Sequence, residues 1–309
     1  MSTDSLVSVI IPTYRRVDYL EEAVASVCRQ TYPHVEILVT DDGSGEEYTN
    51  QYHLPPAVRF FCHQQQQGPA AARNTALKQA QGDFIAFLDS DDLWLPEKLE
   101  AQVRLLRAHP EAGLAHCNLR FVDDNAQPLA PQPRYRLVAG QIFRDLYRYN
   151  SIKSPTGVMV RREILDEVGS FDVELNGAED WDLWLRITRR YPVVADPTVR
   201  ACYRLHGQQI TAARVKGRQA AIKVRTKWLA WAEREAPELV DLSRRYFGMT
   251  LQKLATAQAA ETGDIRGSFQ SLRKAMAYNP WDWRIYTRMI QNPLLALLAK
   301  GKGRGTAQA

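Results

Sequence analysis

The sequence has no apolar run near the roughly 18 residues that a membrane-spanning helix requires, which sets integral membrane proteins aside. Its four cysteines, Cys28, Cys62, Cys117 and Cys202, are scattered at spacings that match no metal site. They read as free thiols of a reducing compartment, so a cytoplasmic protein is expected. The first residues, Met1-Ser2-Thr3-Asp4-Ser5, carry neither the charged nor the apolar region of a secretion signal. Glycine-rich phosphate loops are missing as well: the early strands are followed by no GxGxxG and no Walker lysine. That disfavours nicotinamide cofactors and P-loop chemistry. What remains is ordinary in composition, 309 residues with 45% hydrophobic and 24% charged, enough for one large domain or two.

Charge is unevenly placed. The chain carries a net +5, but residues 212–309 hold 18 Lys+Arg against 7 Asp+Glu, leaving 22 basic and 28 acidic residues in 1–211. Such a split implies two functional regions, the second suited to an anionic partner. Nucleic acid and the inner face of a membrane are both candidates. The basic region carries no recognised nucleic-acid motif, so nucleic acid is disfavoured.

Leu6 to Ile11 reads as a strand stopped by Pro12-Thr13-Tyr14, followed by a helix with Leu20, Val24 and Val27 at helical spacing and Asp18 as its cap. Val35 to Val39 forms a second strand, which makes a βαβ unit and predicts a parallel sheet with its loops at one edge. Further strands are expected at 58–61, 84–88, 114–119, 156–160 and 192–203, and helices at 70–80 and 97–109. The stretch 123–154, rich in Pro and Tyr, shows weak periodicity. Beyond about Arg214 only helical patterns remain, at 223–235, 237–260 and 266–278, the last two resembling one tetratricopeptide-type hairpin. The end is apolar from Pro293 to Leu298, then basic at Lys300, Lys302 and Arg304.

Phe84-Ile85-Ala86-Phe87-Leu88 followed by Asp89-Ser90-Asp91-Asp92 is the centre of the chain. A strand so apolar belongs inside a covered sheet, and acids at its tip stand where open α/β sheets bind ligands. Three carboxylates within four residues need a cation or hydrogen-bond donors. Hard oxygen donors suit Mg2+ or Mn2+. The same acids would also serve as a solvated turn before a helix beginning near Leu93. Two further acidic pairs, Asp41-Asp42 and Glu179-Asp180, follow a strand and precede a helix.

Five motifs in order carry a resemblance: Val9-Ile10-Ile11-Pro12-Thr13-Tyr14, Asp41-Asp42-Gly43-Ser44, Gly68 with Ala72-Arg73-Asn74, Phe87-Leu88-Asp89-Ser90-Asp91-Asp92, and Glu179-Asp180-Trp181-Asp182-Leu183-Trp184. Over roughly 6–211 the chain resembles the family-2 glycosyltransferases. The resemblance implies an α/β GT-A fold, Rossmann-like, with a mainly parallel central sheet flanked by helices and an all-α C-terminal extension. It divides the chain into 1–211, with a nucleotide-binding half to about 120 and an acceptor half from about 121, and a basic helical region 212–309. It implies that Pro12, Thr13 and Tyr14 hold the base, Tyr14 by stacking, and that Asp42 accepts the imino N–H of uracil or thymine. Arg73 would hold the nucleotide. Asp89 would lie near the ribose or metal, and Asp91 would bind Mn2+ or Mg2+ on the donor diphosphate. Asp180 matches the catalytic base, and His206 matches a position that contacts metal or diphosphate.

A positioned carboxylate and a bound cation are what glycosyl transfer from a nucleotide sugar requires. The Gln-X-X-Arg-Trp motif of processive synthases is absent after Asp180, which favours addition of one or a few sugars. The implied activity is inverting transfer from a UDP-sugar to a saccharide or lipid-linked saccharide in surface polysaccharide synthesis. The basic region would rest peripherally on the inner membrane face. A non-catalytic nucleotide-sugar or glycan-binding module is the alternative. Asp42 as a turn residue, Asp180 as a helix cap, Arg73 as a surface ion pair and Trp181 as packing are the plainer readings of each site residue.

Overall fold

The computed structural model describes residues 5–133, 135–206 and 214–304, with side chains through 297. The chain divides into two compact units, Met1–Gly207 and Gln208–Ala309.

In the first unit Val7–Thr13 (β1) is buried at every position, as a strand covered on both faces must be. Val17–Cys28 (α1) turns Leu20, Ala23, Val24 and Val27 inward, one helical stripe. The chain returns as Val35–Asp41 (β2), parallel to β1 with Thr13 opposite Asp41. A short helix, Glu46–Thr49 (α2), leads to Val58–Cys62 (β3), parallel to β2. Pro69–Gln79 (α3) then carries the chain back so that Phe84–Phe87 (β4) pairs in parallel with the other side of β1. Strand order therefore reverses about β1. Thr13, Asp41 and Phe87 end at one edge, the switch point at which such sheets take ligands.

Leu93–Trp94 (β5), Lys98–Ala108 (α4), Leu114–Val122 (β6) and Phe143–Arg148 (α5) follow. Val158–Arg161 (β7), Arg162–Val168 (α6), Glu179–Thr188 (α7) and Val193–Arg204 (β8) complete the unit. The sheet has eight strands in the order β3-β2-β1-β4-β7-β6-β8-β5. β7 runs antiparallel to both β4 and β6, whereas β8 is parallel to β6. The sheet is thus parallel on the β1 side and mixed beyond β4. α7 is anchored beneath the switch point by aromatic contacts: the Phe87 ring lies 5.3 Å from Phe171 and 6.0 Å from Trp184. Each such pair adds about 0.5–1.5 kcal/mol beyond its burial.

Three local expectations change. No helix begins at Leu93, because Leu93 and Trp94 pair with Cys202 and Ala201 on β8. Leu95 N also donates to Arg200 O at 2.9 Å, so the helix waits until Lys98, past Pro96. Asp18 lies inside the first turn of α1, where Arg16 holds the preceding position, so Asp18 offers its charge to the helix dipole rather than a cap. The weakly periodic stretch 123–154 contains α5.

The second unit is helical: Arg214–Glu235 (α8), Val240–Thr262 (α9), Ile265–Tyr278 (α10) and Trp283–Arg304 (α11). Leu229, Phe247, Leu251, Ala255, Leu272, Ala275 and Ile285 form its core. Gly263, at φ +64, ends α9 in the left-handed conformation glycine favours, and the Asp264 carboxylate caps α10 by accepting from Gly267 N at 2.8 Å. α11 is continuous through Pro293, where the sequence showed only an apolar run and a basic end. Among the described residues no helix is long and apolar enough to cross a membrane.

Candidate active site

The three acids after β4 have three different environments. Asp92 is buried and accepts from Thr156 Oγ1 at 2.5 Å and from Arg204 N at 2.8 Å. Burial, then the charges of Asp91 and Asp89, push its carboxyl well above the ordinary value. It clamps the tip of β4 to β8 and to the turn before β7. It is neither a helix cap nor a solvated acid.

Asp91 Oδ2 lies 2.9 Å from His206 Nε2 and 3.5 Å from Arg16 Nη1. Burial opposes its ionisation, but the His206 hydrogen bond and the Arg16 charge outweigh that and hold the carboxyl below its ordinary value. His206 reaches this point because Arg204 fixes the end of β8: its N donates to Asp92, its Nε donates to Asp91 O at 2.8 Å, and its Nη2 pairs with Glu22.

Asp89 belongs to a bridge. Arg73, carried inward on the first turns of α3, places Nη2 2.6 Å from Asp89 Oδ1 and Nη1 2.6 Å from Glu179 Oε1. The guanidinium is buried and stacks 5.3 Å from the centre of the Phe171 ring. Burial works against its charge, and the two carboxylates more than restore it, raising its pKa. Burial also lifts the Asp89 carboxyl, against the pull of Arg73. The bridge joins the tip of β4 to the start of α7.

Asp180 stands next to the bridge in the first turn of α7. Its Oδ1 accepts from Trp181 N at 2.7 Å and its Oδ2 from Asn150 Nδ2 at 3.2 Å. Burial first, then the charge of Glu179, raises its carboxyl to about 7. A carboxylate with that pKa takes up and releases a proton near neutral pH, as a general base must. Asp182, by contrast, is buried and paired with Arg186 Nε at 2.9 Å, so it fixes α7. Trp181 is packed with Nε1 donating to Leu146 O at 2.8 Å, and Trp94 likewise donates to Thr156 O.

At the other side of the switch point, Pro12 and Thr13 are buried at the end of β1, and Tyr14 is half-buried beyond them. Arg15 takes φ +52, a left-handed turn held by its N donating to Ser44 Oγ at 2.7 Å. Its guanidinium lies 5.1 Å from the Tyr14 ring centre and 5.6 Å from that of Tyr48. Asp42 accepts from Gln67 N at 2.9 Å and Gly68 N at 2.7 Å, and its Oδ1 lies 2.8 Å from His63 Nδ1. It orders the 63–68 loop that closes this side. Asp41 ties the same turn through Ser44 and Tyr52.

Arg16, Asn150 and Thr156 take part in this network, and none of them is among the site residues expected from the sequence. Arg16 had one usable signal, a cation directly after the first strand. Asn150 and Thr156 lie in or beside a stretch without periodicity, and only the fold brings them to Asp180 and Asp92.

The residues fit a divalent cation. Asp91 and His206 offer a carboxylate oxygen and an imidazole nitrogen to one point. That point has a mismatch: His206 Nε2 is 2.9 Å from both Asp91 Oδ2 and Arg16 Nη1. One ring nitrogen donates to the first or accepts from the second, not both. The carboxylate oxygen suits Mg2+ or Mn2+, and the softer imidazole nitrogen favours Mn2+ of the two. Among the described residues no cluster of three such side chains completes a shell, so substrate oxygens would have to supply the rest, as is usual for Mg2+.

Residues 8–169 match Glycosyl transferase family 2. Over 196 residues the chain is 34% identical to an uncharacterized glycosyltransferase of Rickettsia felis, covering 60% of this chain and 31% of that one; it spans about a third of that relative's length. It is 30% identical over 219 residues to the UDP-Glc:alpha-D-GlcNAc-diphosphoundecaprenol beta-1,3-glucosyltransferase WfgD of Escherichia coli, covering 69% of this chain and 82% of WfgD. Among solved structures, S. aureus TarS 1-349 in complex with UDP-GlcNAc superposes with a TM-score of 0.61 at 20% identity, over 97% of this chain and 92% of that one. The mannosyltransferase PcManGT from Pyrobaculum calidifontis, in complex with GDP-Man and Mn2+, gives 0.59 at 22% identity over 96% and 87%. At such identities the likeness is one of fold, a GT-A arrangement with a helical C-terminal region. The matched segment takes in the β4 acids and the whole switch point, and the chain belongs to glycosyl transferase family 2.

Proposed function

We propose that the protein is a metal-dependent, inverting glycosyltransferase that moves a sugar from a nucleoside diphosphate, in the first place UDP, to a saccharide or lipid-linked saccharide acceptor in surface-glycan assembly. The observation that carries this reading is the Asp180 carboxyl. It is raised to about 7 and stands beside the Arg73 bridge to the β4 acids.

In the proposed step Asp180 takes the proton of the acceptor hydroxyl as that oxygen bonds to the anomeric carbon. The bond from that carbon to the diphosphate oxygen breaks, and its electron pair leaves with the nucleoside diphosphate. Attack from the face opposite the leaving group inverts the centre. No carboxylate nucleophile is needed, unlike a retaining hydrolase. A bound Mn2+ or Mg2+ would neutralise charge on the departing diphosphate, with Asp91 and His206 as its protein donors. Arg73 holds Asp89 and Glu179 in place, so the strand tip and the base keep their spacing. Pro12, Thr13 and Tyr14 form the wall for the base. Asp42 Oδ2 takes the Gly68 N–H, and a carboxylate oxygen accepts two bonds, so Asp42 would have one place left for a pyrimidine imino N–H if the base reaches this buried side chain.

A uridine donor is supported by the donor named for WfgD and by the UDP-GlcNAc complex of TarS. A lipid-linked acceptor is supported by the diphosphoundecaprenol substrate of WfgD. The test is a transfer and donor-hydrolysis assay over UDP-, dTDP- and GDP-sugars, with Mn2+, with Mg2+ and with chelator. The reading expects turnover of a pyrimidine diphosphate sugar that chelator abolishes and Asp91→Ala reduces by roughly a hundredfold or more. Undiminished turnover in chelator, or in Asp91→Ala, overturns the metal assignment.

A further inference from the structure

α11 is apolar on two faces. Ile285, Met289, Asn292 and Ala296 face inward; Ile285 and Met289 pack on the helical core, and Asn292 Nδ2 donates to Ser268 Oγ at 2.8 Å. On the opposite side Trp283 is 70% exposed, Ile290 73%, Leu294 61% and Leu297 64%, with Tyr286 between them. At 3.6 residues per turn those five side chains fall within an arc of about 80°. Trp281, just before the helix, is 92% exposed. The inner face is covered by the helical core, and the outer apolar stripe faces solvent without a cover among the described residues. From Trp283 to Ala309 the sequence has five basic residues and no acidic one; Arg284 is paired with Asp282 at 2.7 and 2.8 Å, which leaves the charges of Arg288, Lys300, Lys302 and Arg304.

We propose that the outer face of α11 docks on an anionic lipid bilayer, lying in the interface with Trp281 and Trp283 among the headgroups and Ile290, Leu294 and Leu297 inserted. Tryptophan and tyrosine favour that depth because one part of the ring system is apolar and the other donates a hydrogen bond. The charge decides between lipid and a second copy of the chain. A two-fold interface built on this stripe would bring together two segments that are each net positive and offer no acidic partner within 283–309, whereas an anionic surface attracts each Lys and Arg. Charge alone would give weak, salt-sensitive adsorption; the apolar stripe adds the insertion that makes two signals of one. The inference stands on the C-terminal unit and goes beyond the transfer reading. A lipid-linked acceptor would lie at the same surface.

The test is flotation of the full chain with vesicles of phosphatidylglycerol and phosphatidylcholine, and with phosphatidylcholine alone. A triple variant, Trp283→Gln with Ile290→Gln and Leu294→Gln, is run beside it. The native chain is expected to float with the anionic vesicles only, with a blue shift of tryptophan emission. The variant should partition roughly tenfold less or weaker while keeping its circular dichroism and its UDP binding. Failure of the native chain to float, or equal flotation of the variant, overturns the proposal. So does a concentration-dependent dimer that the triple variant abolishes without any vesicle binding. UDP binding measured on the same samples separates this outcome from a failure of the donor reading.

Discussion

Arg73 Nη1 lies 2.6 Å from Glu179 Oε1, a contact between residues 106 positions apart that ties α3 to the start of α7. The second guanidinium nitrogen makes the same distance to Asp89 Oδ1. Asp180 therefore sits beside a fixed negative charge, and that charge adds to burial in lifting its carboxyl. Arg73 thus fixes the neighbour of Asp180, while its own charge works against burial and Glu179 and lowers the Asp180 carboxyl somewhat.

Replacing that arginine leaves two carboxylates without their partner. Arg73→Met is expected to destabilise the protein by about 3–5 kcal/mol, the usual consequence of breaking a buried ion pair from one side. Arg73→Lys should recover part of this, since an ammonium reaches one carboxylate at a time. Urea unfolding of the three proteins checks the order.

The Asp180 carboxyl sets an acid limit. With its pKa raised to about 7, the base is lost as pH falls through 7, so kcat/KM should drop about tenfold per pH unit below it. Asn150 lowers that pKa by donating to Oδ2. Asn150→Leu removes the donor and should shift the limb to higher pH. A pH–rate profile that stays flat from 5 to 8 (roughly, the range over which this base titrates) would oppose the assignment.

Lys98 is a stability liability that the proposed reaction does not use. Its Nζ is buried without a hydrogen-bond partner among the described residues, 3.7 Å from the centre of the Trp94 ring, and burial lowers its pKa to about 7. Between about 7 and its ordinary value of 10.5 the unfolded chain binds a proton that the folded chain does not. This lysine therefore makes stability rise with pH over that window and fall back as pH drops towards 7. Lys98→Met should stabilise the protein by about 1–3 kcal/mol at neutral pH and remove that slope. Unfolding measured at two pH values inside the window tests both parts.

Two glycines near the switch point should respond unequally. Gly45 has φ +91 with open space at its Cβ position, so Gly45→Ala meets backbone strain alone, about 1–3 kcal/mol. Gly43 has φ +81, and a Cβ there would meet the Gln65 carbonyl carbon at 2.5 Å. Gly43→Ala should therefore lower the melting temperature further than Gly45→Ala.

Much of this arrangement was legible in the residues. The βαβ start follows from two apolar runs around an amphipathic helix, and β4 with its acids from one further run. The helical end followed from a change of period. What local pattern does not carry is the sharing of work among acids. Asp89, Asp91 and Asp92 look alike in sequence, and only Arg73, His206 with Arg16, and Thr156 with Arg204 separate them. The β5 pairing was hidden because Leu93-Trp94 are two residues long and their partner lies over 100 residues away on β8. α11 was hidden by Pro293, which ordinarily ends a helix.

The central claim, that Asp180 is the base of a transferase, is tested most directly by single-turnover transfer from a UDP-sugar in Asp180→Asn, with donor binding measured on the same protein. Donor binding should stay within a few-fold of the native value, and transfer should fall by roughly a thousandfold or more. The variant should also be more stable than the native protein at pH 8, about one unit above the native pKa. The reason is one of sign. A carboxyl raised to about 7 from 3.8 weakens the folded state as pH rises through that interval, and asparagine does not ionise. Transfer at the native rate with intact donor binding would contradict the account.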